Sequence, residues 1–117
     1  MTEEQFKERT RKLALRIIAL VESLGKTGSA GAIGRQIVRS GTSIGANYRA
    51  ACRAKSRADI VAKLAIVEEE ADETVYWLEL LVESRLVPEK RLKPLIDETN
   101  EILAMTVASI KTLKRKP

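Results

Sequence analysis

Apolar residues recur along the chain at steps of three, four and seven, the signature of helices with one buried face. Phe6, Leu13, Ile17, Leu20, Val21 and Leu24 form a first stripe, opened by a capping box at Thr2 and Gln5. Gly25-Lys-Thr-Gly28 ends it, and Ser29 is placed to cap a second helix from about Ala30 to Ala54, with Ile33, Ile37, Ile44, Tyr48 and Ala51 inward. Ser56 is placed to cap a third, Arg57 to about Ser84, whose stripe is Ile60, Leu64, Val67, Ala71, Val75, Leu78 and Val82. Pro88 suits the first turn of a fourth helix, carrying Leu92, Leu95, Ile96, Thr99, Leu103, Thr106, Ile110 and Leu113. Connections of a few residues force neighbouring helices to run antiparallel. The predicted fold is all-α, one up-down-up-down four-helix bundle over residues 1–117.

Composition agrees, with only three Pro and six Gly in 117 residues. The first residues, Met1-Thr-Glu-Glu-Gln-Phe6, lack the basic-then-apolar layout of a signal peptide, and no apolar run approaches the roughly 20 residues of a membrane span. A lone Cys52 has no partner for an intrachain disulfide and reads as a small packing residue. The expected setting is the cytoplasm, with no membrane contact.

Charge changes the picture, because it is sorted by helix. Lys26 to Ala58 holds seven bases and no acid, while Leu64 to Ser84 holds seven acids and no base. At about 100° per residue, Arg35, Arg39, Arg49, Arg53 and Arg57 fall within roughly 80° of one another if the second helix is unbroken. Lys111, Lys114, Arg115 and Lys116 add a basic tail. Two readings remain open. Either these cations meet the phosphates of RNA or DNA, without base stacking because no aromatics interleave with them, or the acids of the third helix consume them inside the assembly.

Gly34, Gly41 and Gly45 share one flank of the second helix and permit a close helix approach; Ser40, Ser43 and Asn47 lie on the other flank. On the third helix, Ile66, Trp77 and Leu80 stray from the stripe onto a face with Glu69 and Glu73, and are expected to cover a second copy of the chain, Trp77 as anchor. Leu15 and Ile18 stray likewise on the first helix. Glu69 and Glu73 suggest paired carboxylates, but di-iron bundles recruit Glu-x-x-His and the chain has no His. No nucleotide or nucleophile motif appears. No cofactor, no metal and no enzymatic activity are expected.

Arg39-Ser40-Gly41-Thr42-Ser43-Ile44-Gly45-Ala46-Asn47, then Glu69, Glu73 and Trp77-Leu78, resemble the four-helix bundle proteins encoded within intervening sequences of bacterial 23S ribosomal RNA genes. Ser40, Ser43, Ile44 and Asn47 carry the motif. Many members continue Asn-Ile-x-Glu-Gly, whereas this chain reads Asn47-Tyr48-Arg49-Ala50-Ala51, losing an acid. The resemblance implies an antiparallel bundle assembled into a ring-like homopentamer. For a related branch it implies an accessory role to the reverse transcriptase of diversity-generating retroelements, holding nucleic acid and polymerase. For most members the function is unknown.

Overall fold

The computed structural model describes residues 1–115. Four helices follow in order: α1 (Glu3–Glu22), α2 (Gly28–Cys52), α3 (Arg57–Glu83) and α4 (Glu89–Arg115). They pack α1 on α2, α2 on α3 and α3 on α4, with a thinner α1–α4 seam closing the up-down-up-down bundle. The molecule is a rod of 49 × 20 × 20 Å.

The sequence places the helix ends through their caps. Thr2 accepts from the Gln5 amide at 3.1 Å while Gln5 Oε1 accepts from the Thr2 amide at 2.8 Å, completing the box. Ser56 accepts from the Asp59 amide at 3.1 Å. The start of α2 differs from expectation: its N-cap is Thr27, with no side-chain capping bond, and Ser29 lies inside the helix. Gly28 at φ 64° makes the earlier start possible, because a left-handed residue is needed there.

The core runs the length of the rod through Leu13, Ile17, Ile37, Ile44, Leu78, Leu92 and Ile102. Thr10 and Thr74 join it although neither belongs to a predicted stripe. Each turns its hydroxyl onto its own helix, Thr10 to the Lys7 carbonyl at 3.0 Å and Thr74 to the Glu70 carbonyl at 2.7 Å, leaving a methyl to pack. The glycine flank of α2 lies on α1. A Cβ on Gly41 would come within 2.3 Å of Ile17 Cδ1, so the two helices meet there as closely as side chains allow. The α1–α4 seam is held by Arg9, which forks onto Glu98 at 2.6 and 2.7 Å and reaches Glu101 at 3.0 Å.

Candidate nucleic-acid interface

The five arginines read as one stripe are divided by the fold. α2 stops at Cys52, Arg53 is its C-cap, and Arg57 is the first residue of α3. Arg39 is already paired: it bonds Glu70 at 3.0 Å and also Glu73, both on α3. That is the complementary pairing of the second reading, realised at this arginine. Arg35 is exposed and lines a shallow groove with Lys26, about 27 Å along α2 from Arg53 at 1.5 Å per residue.

The remaining cations converge. At the end of the rod, Ala51, Leu64 and Ile110 pack together, with Ile60, Val61 and Leu113 against them. This docks the last turn of α4 beside the α2–α3 connector. Arg49, Arg53, Lys55 and Arg57 therefore share one end of the bundle with Lys111, Lys114 and Arg115, all exposed. Among the described residues, Arg49, Arg53, Lys55, Lys111, Lys114 and Arg115 form no ion pair or hydrogen bond through their side chains. The nearby acids of α1 are occupied, Glu3 and Glu4 lying 3.5 and 3.4 Å from Lys7 Nζ. Lys116 lies outside the described residues.

The motif residues build the α2–α3 seam. Ile44 and Ser40 are buried, and Thr74 Oγ1 lies 2.9 Å from Ser40 Oγ. Ser43 donates to the Arg39 carbonyl at 2.7 Å, and Asn47 donates to the Ser43 carbonyl at 2.9 Å. Trp77 Nε1 donates to Glu73 at 3.1 Å. The indole N–H first, and then Arg39, holds the Glu73 carboxyl below the usual carboxylate range. Trp77 is half-buried against its own core rather than fully presented to a partner.

The outer face of α3 carries Glu69, exposed, and Ile66 and Leu80, half-buried. Its most exposed apolar group is Tyr76, at 55%, which stands edge-on to Trp77 at 5.0 Å. Sequence reasoning passes over Tyr76, although its i, i+4 spacing to Leu80 places both on one outer line. On the diagonally opposite helix, Leu15 and Ile18 are 59% and 40% exposed. Cys52 is partly buried, and that burial pushes its thiol above the ordinary value.

Among the described residues, no group of three His, Cys, Asp or Glu side chains is placed to hold a metal ion, and no helix is long and apolar enough to cross a membrane. A family model described as 23S rRNA-intervening sequence protein matches residues 2–108. Among solved structures, a protein of unknown function from the S23 ribosomal protein family of Bacteroides thetaiotaomicron is 38% identical. That match covers 91% of this chain and 98% of that one, with a TM-score of 0.83. No curated protein matches.

Proposed function

The chain belongs to the 23S rRNA-intervening sequence protein family, and from that premise we propose a non-enzymatic, homo-oligomeric bundle that holds RNA or DNA by its phosphates without reading sequence. The observation that carries this reading is the basic end, where Arg53, Lys55, Lys111, Lys114 and Arg115 are exposed and, among the described residues, have no carboxylate partner. A guanidinium or ammonium cluster of this kind neutralises phosphates and releases counterions. It has no means of reading bases by stacking. The nearest aromatics, Phe6 and Tyr48, are packed on each other at 4.5 Å, the first buried and the second half-buried.

Two apolar faces on opposite sides of the rod support the oligomer, Leu15 and Ile18 on α1 and Ile66, Tyr76 and Leu80 on α3. Different patches on one chain make a heterologous contact, which closes as a ring when the rotation permits. The family resemblance implies a ring of five. A scaffold without nucleic acid is the competing reading, supported by the pairing of Arg39 with Glu70 and Glu73.

Fluorescence anisotropy with labelled single-stranded RNA and duplex DNA separates the two. The Arg53→Glu/Lys55→Glu/Lys114→Glu variant is compared with a Lys90→Glu/Lys93→Glu control at the far end of the rod. Binding that is lost in the first and retained in the second supports the phosphate reading. No binding by the wild type at low salt leaves the scaffold reading, and binding retained equally in both variants removes the basic end as the site.

A further inference from the structure

We propose that the trough between α1 and α2 is an anion site that takes a phosphate group between Arg11 and Arg49. The close approach of these helices requires small residues. A Cβ on Gly45 would lie 3.2 Å from Thr10 Oγ1, and beyond Gly45 the α2 side chains are only Ala46 and Thr42. On the outer side this leaves a trough of about 520 Å³, lined by Lys7 and Arg11 from α1 and by Arg49 from α2, together with the carboxylates Glu4 and Glu8.

The charges do not cancel. Lys7 is satisfied by Glu3 and Glu4. Arg11 and Arg49 make no side-chain hydrogen bond or ion pair among the described residues, although Glu8 lines the same trough. Two guanidinium groups from different helices thus face one space against a single unpaired carboxylate. A phosphate between them turns that repulsion into two charge-assisted pairs, for which the guanidinium fork is the matching shape. Thr42 Oγ1 is already bonded to the Val38 carbonyl at 2.6 Å, so the donors are the arginines themselves.

The phosphate has two sources. One is a free anion; the other is a nucleic-acid backbone, and only this source rests on the function proposed above. Arg49 lies one turn before Arg53, so a strand held at the basic end leads directly into the trough.

The test is a titration of the ¹⁵N-labelled wild type, and of the Arg11→Gln, Arg49→Gln and Glu8→Gln variants, with inorganic pyrophosphate and separately with a single-stranded RNA oligonucleotide. Amide shifts centred on Thr42, Gly45 and Ala46 are expected. Affinity for pyrophosphate falls about tenfold for either arginine variant and rises several-fold for Glu8→Gln, each change being one charge-assisted pair or one repulsion. Shifts confined to the α2–α3 connector and the close of α4, or affinity indifferent to Arg11, overturn the site. RNA binding that needs Arg53, Lys55 and Lys114 but not Arg11 defeats the trough as a path for the strand, and the pyrophosphate titration alone then decides the anion site. Pyrophosphate shifts in the trough without any RNA binding defeat the nucleic-acid reading alone and leave the anion site standing.

Discussion

Two substitutions of identical chemistry in α2, Gly41→Ala and Gly34→Ala, are expected to move stability in opposite directions. Each replaces a glycine inside a helix and so recovers about 1 kcal/mol of intrinsic propensity. At Gly34 the added Cβ meets Val21 Cγ1 at 3.4 Å and Leu24 Cδ1 at 3.6 Å, ordinary van der Waals contact, and the gain stands. At Gly41 it meets Ile17 at three atoms, Cδ1 at 2.3 Å, Cγ2 at 3.1 Å and Cγ1 at 3.3 Å. Ile17 is fully buried and β-branched, so rotating χ2 frees Cδ1 but not Cγ2. The remaining relief is to part α1 from α2 or leave the rotamer, and overpacking of this kind costs about 1–3 kcal/mol. The net effect of Gly41→Ala is a loss of up to about 2 kcal/mol, and propensity cancels when the two variants are compared. Urea unfolding followed by far-ultraviolet circular dichroism reads that gap as roughly 1 M in midpoint, given slopes of about 1–3 kcal/mol per molar. Both variants are measured at one protomer concentration, since assembly contributes to apparent stability. A Gly41→Ala protein as stable as Gly34→Ala would refute the close α1–α2 contact.

Arg9→Met should cost about 1–2 kcal/mol at neutral pH, because Arg9 and Glu98 are both only about a fifth exposed and bond bidentately. Arg9 holds the Glu98 carboxyl below its usual 4.5, so this contribution is complete above pH 4.5 and disappears as pH falls through the depressed value. Urea midpoints of wild type and variant should therefore converge in acid; a gap unchanged to pH 2 would contradict the clasp. Leu80→Asp should lower the oligomer mass in light scattering while leaving the helical spectrum intact, since Leu80 is only half-buried in the protomer. A wild type that is monomeric at micromolar concentration would remove the ring altogether.

The helices are legible in the sequence because their apolar stripes are long and their caps are local. Thr2 with Gln5, and Ser56, need no knowledge of the rest of the chain. The small-residue flank is legible for the same reason, as Gly34, Gly41 and Gly45 share one side of the wheel and that side meets α1. The arginine stripe is not. A helical wheel extrapolated through Arg53 to Arg57 cannot register the reversal at Ala54–Ser56, and that reversal is what gathers the cations at an end. Nor does the wheel show that Arg39, at the α3 edge of the stripe, reaches Glu70 and Glu73 while Arg49 does not. Arg11 escapes notice because it lies outside the acid-free segment, and its importance depends on which helix α2 packs against. Thr10 and Thr74 sit at stripe spacing just as Thr99 and Thr106 do, yet only the latter pair is read as core from the sequence; all four hydroxyls bond their own helices.

The salt dependence of wild-type binding to single-stranded RNA tests the central claim most directly. The account predicts a log-linear fall of affinity with salt. For the Arg53→Glu/Lys55→Glu/Lys114→Glu variant the slope shrinks by roughly 0.7 for each phosphate that the protein no longer neutralises. Affinity that is absent at low salt, or that holds constant as salt rises, would contradict it.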